Sequence, residues 1–316
     1  MSLLTMIARR IAIAIPMLLV VATVTFLLMQ LIPGSPAAAI LGTNATPEQY
    51  ARIEDQLGLN DPLIQQYGRF MGDLVRGDLG TSYIGGQSVT DLVMGRLPVT
   101  LSLAVAATAV SLVAGVLIGT FAATRGGIVD RIVTSISGLG LAIPSFWLAI
   151  VLLLFFSIKL GWFPATSYVA LTSSPWEWFR HVALPVTALA TVQVATIARQ
   201  TRSEMVRVFE QDFIRTLRAS GVSRRSLVWK HALRNASIPV VTVMGLQFVA
   251  VFGGAVIIER VFALPGVGTL TLNAANSTDV PIVLGVVVVT AAMVLVVNLL
   301  IDILYWLLQP RVRSAR

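Results

Sequence analysis

The sequence contains no cysteine among its 316 residues. Disulfides, thiolate zinc sites, cysteine-ligated iron–sulfur clusters and a cysteine nucleophile are therefore excluded. Charged residues are also scarce, at 12% of the chain, whereas a soluble globular chain carries about 25%. Hydrophobic residues make up 56%, and the mean hydropathy is +0.84. So few charges cannot cover a water-facing surface, and we expect much of the outer surface to face lipid.

Lysine and histidine are nearly missing as well. Lys159 and Lys230 are the two lysines, so arginine supplies most of the positive charge behind the net +8. The two histidines, His181 and His231, lie outside the long apolar stretches. An intramembrane hydrolase would therefore lack a histidine base or metal ligand within a span. The chain also lacks a glycine-rich phosphate loop ending in Lys-Ser/Thr, so it is not itself an ATPase of that type.

Long apolar stretches without charge are the dominant pattern. A membrane helix needs about 20 apolar residues. Six stretches are candidates, and the shortest, Val182–Ala198, is expected to continue past Arg199. The stretch nearest the N-terminus, Ile11–Ile32, is longer than the apolar region of a signal peptide, which has about 7–15 residues. We interpret it as a retained helix. Pro144 and Pro185 are expected to kink their helices. The sequence predicts an all-α integral membrane protein with six transmembrane helices, at Ile11–Ile32, Val99–Thr124, Ile132–Ile158, Val182–Ala198, Ser237–Ile258 and Val280–Ile301.

The distribution of charge predicts the orientation of these spans. With the N-terminus in the cytoplasm, 16 of the 23 basic residues lie inside, whereas ten of the 15 acidic residues lie outside. Basic residues concentrate on the cytoplasmic side of membrane proteins. Both termini are therefore predicted to be cytoplasmic. The basic excess is explained as a topology signal, so no nucleic-acid partner is expected.

The longest segment between spans, Pro33–Pro98, is predicted to lie outside and to be ordered. Thr46 and Pro47 have the types expected of an N-cap and first helical residue, and Gly58 is expected to end that helix. A second helix is predicted over Pro62–Arg76. The segment either caps the chain's own helices or docks an external partner, and both interpretations stay open.

The segment Arg199–Asn235, between the fourth and fifth spans, holds nine basic residues. Within it, residues 212–221 predict a short amphipathic helix that Gly221 ends. Ser223 is expected to cap a second helix, and the fifth span is predicted to begin at Ser237-Ile238-Pro239. A helical pair between spans indicates either a docking site for a partner or a loop packed on the helix ends.

This segment resembles the coupling loop of binding-protein-dependent ABC importer permeases. Their signature is Glu-Ala-Ala, three residues, a glycine and a later proline. Gly221 matches the glycine, and Arg215-Thr216-Leu217 replaces Glu-Ala-Ala. The peptide-importer subgroup is more similar, with Arg-Thr-Ala-Arg-Ala-Lys-Gly and then His-Ala-Leu-Arg-Asn-Ala-x-Ile-Pro. Residues 215–221 and 231–239 follow those patterns. The resemblance covers nearly the whole chain and is to the first-permease subunit of dipeptide and oligopeptide importers.

The resemblance implies a type I ABC importer permease fold, with an extracytoplasmic insertion after helix 1 and a cytoplasmic coupling-helix loop between helices 4 and 5. It implies an N-terminal helix plus extracytoplasmic region (residues 1–98), a permease core of five transmembrane helices (99–308) and a cytoplasmic tail (309–316). The implied protein is a non-catalytic, multi-pass subunit of the bacterial plasma (inner) membrane. Its implied partners are a second permease, in a heterodimer, two ATPase subunits or domains and an extracytoplasmic solute-binding protein.

The resemblance also implies import of dipeptides or oligopeptides by alternating access. ATP and Mg would bind the partner ATPases, and no cofactor or metal is expected on this chain. A non-peptide cargo such as haem, nickel or glutathione fits the same architecture, and a stand-alone channel or secondary transporter is the alternative from a different class. Phe213, Ile214 and Leu217 are the expected apolar anchors. The coupling-helix residues implied to dock on the ATPase are Phe213, Ile214, Arg215, Thr216, Leu217, Arg218, Ala219 and Gly221.

Polar residues within or beside the spans are candidates for the translocation path, because polar groups in lipid must find partners. Hydrogen bonding between helices is the alternative role. The candidates are Gln193, Gln247, Asn298 and Asp302.

Overall fold

The computed structural model describes residues 3–32, 34–42 and 45–308. This part of the chain is helical, with one isolated antiparallel bridge between Thr81 and Ser88. Two π-helical segments, Leu153–Lys159 and Leu227–Ala232, follow α7 and α10. The α-helices are α1 Leu3–Met29, α2 Pro36–Leu41, α3 Pro47–Gln56, α4 Leu63–Val75, α5 Val89–Arg125, α6 Gly127–Ala142, α7 Ser145–Leu152, α8 Pro175–Phe209, α9 Asp212–Ala219, α10 Arg224–Ser226, α11 Leu233–Val261, α12 Val267–Asn276 and α13 Val280–Leu308.

Among the described residues, five helical runs are long and apolar enough to cross a membrane, and one bent pair would make a sixth. The chain divides into two compact units. The first is built on Leu101–Leu264 and the chain from Val297 onward. The second is built on Met6–Thr100 and Pro265–Val296.

In the second unit, the segment between α1 and α5 folds against α1. Phe26 of α1 stacks on Phe70 of α4 with ring centroids 5.8 Å apart, and it meets Tyr67 edge-on at 5.4 Å. Thr46 and Gln49 form a reciprocal capping box at the start of α3. The helices predicted from Thr46 and over Pro62–Arg76 are therefore confirmed as α3 and α4. Because α4 covers α1, this part of the segment is ordered by packing on the chain's own helix.

The second unit also contains α12, which none of the sequence patterns above predicts. The Pro265-Gly266 pair predicts only a turn, but α12 begins directly after it. The N–H of Val267 donates a 2.9 Å hydrogen bond to Oγ1 of buried Thr100, which satisfies one of the free N–H groups at the helix start. The signal for α12 is weak because the helix is short and lies between two apolar spans.

In the first unit, the third predicted span is broken. α6 and the run Ser145–Lys159 are bent by 91° about Ile143 and Pro144. The proline disfavours helical backbone at the residue before it, and Ile143 is indeed extended, with φ −82° and ψ 119°. The break expected at Pro144 is confirmed. The stretch Ile132–Ile158 is therefore two helical runs separated by a bend.

The fourth and fifth spans are longer than their apolar stretches. α8 runs from Pro175 to Phe209, which confirms the expected continuation beyond Arg199. Helix also runs without a break from Arg224 to Val261, so the start predicted at Ser237-Ile238-Pro239 is wrong. Pro239 lies inside α11. Buried packing of the preceding turns against α8 offsets the backbone hydrogen bond that the proline removes.

Candidate functional site

The candidate site is α9 with the turn that follows it. The turn is a Schellman motif, in which the N–H of Val222 bonds to the carbonyl of Leu217 at 3.1 Å and that of Gly221 to Arg218 at 3.2 Å. Gly221 has a φ of +77°, a left-handed conformation that costs a side-chain-bearing residue about 1 kcal/mol. The predicted helix end at Gly221 is confirmed.

One face of α9 belongs to the chain's own core. Ile214 is 0% exposed and packs with Met205, Val208 and Leu227. Leu217 is partly buried against the same cluster. The side chain of Ile214 is covered by α8 and by the helix after Ser223, and its role as an anchor for a partner stays a prediction. Leu217 is available only in part.

The rest of the α9 surface is exposed. Phe213 is 36% exposed and is the exposed apolar residue of this helix with the largest side chain. The neighbouring side chains are polar or small, and the Arg215–Asp212 ion pair, at 3.4 Å, is exposed and weak. We call this the outer face of α9, defined by exposed Phe213, Arg215, Thr216, Arg218 and Ala219. Gly221 is exposed beside it. An exposed ring together with exposed arginines suits a partner with an apolar pocket and acidic side chains.

Long-range polar contacts fix the helices around α9. Arg202 of α8 donates two hydrogen bonds to the carboxylate of Asp130 in α6, at 2.7 and 2.5 Å. Arg224, just after α9, donates to the carbonyl of Thr124 in α5 at 2.9 Å. These contacts join residues 72 and 100 positions apart, and no spacing in the sequence indicates them. They make the surroundings of α9 a braced junction of α5, α6 and α8.

The four candidate path residues lie in different environments of the first unit. Gln193 of α8 is 4% exposed, and neither its Oε1 nor its Nε2 has a hydrogen-bond partner within the described chain. Gln247 of α11 and Asp302 of α13 are half-buried, whereas Asn298 is exposed. Asn298 and Asp302, four residues apart on α13, share a face as expected. The buried amide of Gln193 is the costly one, since an unpaired polar group in an apolar site is destabilising.

No group of three or more histidine, cysteine or acidic side chains that could hold a metal occurs among residues 3–32, 34–42 and 45–308. The fold and site thus define a helical multi-pass membrane protein that carries a short exposed helix on a braced junction.

The comparisons with known proteins narrow this class to one family. Residues 115–314 match the model of the "Binding-protein-dependent transport system inner membrane component", and residues 3–104 match the model of its N-terminal region. The chain belongs to this family of ABC importer permease subunits, which reside in the bacterial inner membrane. Subunits of this family generally are non-catalytic and work with ATPases and a solute-binding protein.

Relatives match over almost the whole chain. A Brucella abortus protein, provisionally named a peptide transport system permease protein, is 45% identical over 309 residues, covering 98% of each chain. The oligopeptide transport system permease protein AppB of Bacillus subtilis is 37% identical, covering 97% of this chain and 98% of its own. The di/tripeptide transport system permease protein DppB of Pseudomonas aeruginosa is also 37% identical, covering 99% and 100%.

A solved structure shares the fold. The MetNI methionine ABC transporter in an inward-facing conformation aligns with a TM-score of 0.52 at 17% identity, over 66% of this chain and 93% of the other. At that identity the likeness concerns the fold alone, which is that of an ABC importer permease.

Proposed function

We propose that this chain is the permease subunit of an ATP-driven peptide importer. It receives dipeptides or oligopeptides from an external solute-binding protein and passes them across the membrane by alternating access. The observation that carries the proposal is the full-length similarity to proteins named peptide permeases. The chain performs no catalysis; two partner ATPase subunits or domains bind ATP and Mg. A second permease completes the pathway as a heterodimer.

We propose six crossings, in which the bent pair of α6 and Ser145–Lys159 forms one. Both termini then lie in the cytoplasm, as does α9. The concentration of arginine between Arg199 and Asn235 supports this orientation. Residues 1–98 form the N-terminal helix with an extracytoplasmic insertion, and residues 99–308 form the permease core. The tail 309–316, assigned to the cytoplasm, lies outside the described residues.

The outer face of α9 is the proposed ATPase-docking surface. Phe213 enters an apolar pocket of the ATPase, and Arg215 and Arg218 set the approach and register. Ile214 and Leu217 hold α9 to α8 and to the helix after Ser223. When the ATPase groove moves, α9 should move with it. The long helices should follow α9, because a close-packed core moves as a unit and does not deform smoothly.

Gln193, Gln247, Asn298 and Asp302 are the proposed polar residues of the path. The unpaired amide of Gln193 supports a role in which water, another helix or the peptide backbone of the cargo supplies its partner in a different conformation. A peptide carries the matching donors and acceptors at every residue.

The test is uptake of a labelled dipeptide by vesicles that contain both permeases and the ATPases, with the loaded binding protein supplied outside. We expect uptake that requires ATP and the binding protein and that unlabelled dipeptides compete. If haem, nickel or glutathione competed and peptides did not, the transported molecule would be that competitor and not a peptide. Uptake without ATP would indicate a channel or secondary transporter and refute the proposal.

A further inference from the structure

A groove of about 890 Å³ lies beside α9, between the end of α5, the start of α6 and the helix after Ser223. Leu117, Ile118 and Phe121 of α5 line one part of it, and Arg125, Arg225 and Trp229 line another. We call this the basic groove. It is separate from the outer face of α9, since none of its lining residues belongs to α9.

The basic groove is amphipathic along the direction of α5. Leu117, Ile118 and Phe121 are 50%, 38% and 50% exposed. Arg125 ends the same helix, about 10 Å beyond Ile118 at roughly 1.5 Å per residue. An apolar stretch is therefore followed within two turns by cationic groups. This spacing fits a molecule that has a hydrocarbon chain next to a charged head.

The charge of the basic groove has one sign. Arg125, Arg224 and Arg225 line it, and no aspartate or glutamate does so. Arg224 is held in place by its hydrogen bond to the carbonyl of Thr124. The guanidinium of Arg125 lies over the ring of Phe121, with its Cζ 5.4 Å from the centroid. The groove thus presents positioned cations without internal neutralisation, which is the requirement for an anionic ligand.

Trp229 supplies the remaining feature. It is 46% exposed at the rim of the basic groove, and exposed tryptophan is enriched where a membrane meets water. Basic pockets between membrane helices on the cytoplasmic side suit anionic lipid head groups. A protein partner could also bring carboxylates to the three arginines. A lipid accounts in addition for the apolar lining, because that lining belongs to a membrane-spanning helix.

We propose that the basic groove binds an anionic phospholipid of the cytoplasmic leaflet. The phosphate contacts Arg125 and Arg225, one acyl chain lies along Leu117 and Phe121, and Trp229 packs at the level of the head group. The inference rests on the cytoplasmic orientation given under the proposed function. Because Arg224 follows α9 closely, the bound lipid would brace the base of the docking helix.

The test uses phosphatidylglycerol and phosphatidylcholine that carry a photoactivatable group on the acyl chain, in vesicles that contain the assembled importer. We expect phosphatidylglycerol to label this subunit at residues 117–125, and phosphatidylcholine to label it weakly there. In the double variant R125Q/R225Q, labelling measured by intact mass should fall about tenfold or more at subsaturating lipid, because each arginine near an anionic membrane contributes roughly a fivefold factor.

The matched control is R131Q/R234Q, which removes two exposed arginines that do not line the groove. Its labelling should equal that of the unmodified protein. Soluble glycerophosphoglycerol should not compete; competition would indicate a site for free phosphate esters and overturn the lipid proposal. Equal labelling of R125Q/R225Q and its control would also overturn it.

A single cysteine at Trp229 gives an independent result, because the natural chain contains no cysteine. With a short cross-linker attached at this position, we expect no cross-link between this subunit and another protein. Its efficient cross-linking to the second permease would show that a protein fills the groove, and the proposal would be wrong. Neither readout requires transport, so failure here is distinguishable from failure of the proposed peptide import.

Discussion

Replacing Phe213 with alanine should separate docking from folding in α9. The ring is 36% exposed on the outer face, whereas the adjacent Ile214 is 0% exposed in the chain's own core. Loss of a well-seated aromatic anchor at a protein interface costs about 2 kcal/mol or more. We therefore expect F213A to weaken association with the ATPase roughly thirtyfold. The stability of the isolated permease should fall less than on truncation of Ile214, because the Phe213 side chain is partly exposed in that state whereas Ile214 is fully buried.

The matched variants are I214V and I214A. Removal of one buried methyl group typically costs about 0.5–1.5 kcal/mol, and truncation of a buried isoleucine to alanine costs about 2–5 kcal/mol. Ile214 has no exposed surface to lose, so this cost falls on the permease itself. We expect I214A to lower the thermal stability of the detergent-solubilised permease pair, with I214V intermediate. In F213A the midpoint should fall less than in I214A, because Phe213 is partly exposed.

The assay measures two quantities on the same preparations. One is the affinity of the ATPase for the permease pair, and the other is the stimulation of ATP hydrolysis by loaded binding protein. F213A should lose both at low ATPase concentration and recover when the ATPase is in excess. The reasoning is refuted if F213A destabilises the permease as much as I214A does, or if I214V abolishes ATPase binding while leaving thermal stability unchanged.

Three further substitutions test the frame around α9. G221P should uncouple ATP hydrolysis from peptide uptake while the protein still inserts, because proline cannot adopt the φ of +77° and removes the N–H that bonds to Arg218. D130N should lower thermal stability by about 1 kcal/mol, a small value because the ion pair with Arg202 is partly exposed. G119A should cost about 1–3 kcal/mol, since a methyl group there meets the backbone carbonyl of Ala198; normal stability of this variant would contradict the close packing.

Local signals explain which elements could be predicted from the sequence. Thr46, Pro47 and Gly58 indicate the start and end of α3 without reference to the rest of the chain, because capping depends on a few neighbouring residues. Gly221 is the same kind of signal at the end of α9. Pro144 likewise breaks the third apolar stretch through its effect on the residue before it.

The missed features depend on partners distant in the sequence. Pro239 has the same local preference as Pro144, yet helix continues through it, because Leu227 and Val228 in the preceding turns are buried against α8. The pairing of Asp130 with Arg202 is equally invisible to any pattern of spacing. Packing therefore determines that the helix breaks at Pro144 and continues through Pro239, although the two prolines have the same local preference.

The periodicity of α9 identifies its apolar residues but does not show which of them pack in the chain's own core and which are exposed. At about 100° per residue, Leu217 lies between Phe213 and Ile214 around the helix, about 40° from the first and 60° from the second. Exposure follows that order, from exposed Phe213 through half-buried Leu217 to fully buried Ile214. One apolar stripe therefore serves the chain's own core along one edge and remains open along the other. A charge at Leu217, as in L217D, would disturb both functions at once, so loss of coupling in that variant could not be attributed to docking unless the thermal stability of the permease were unchanged.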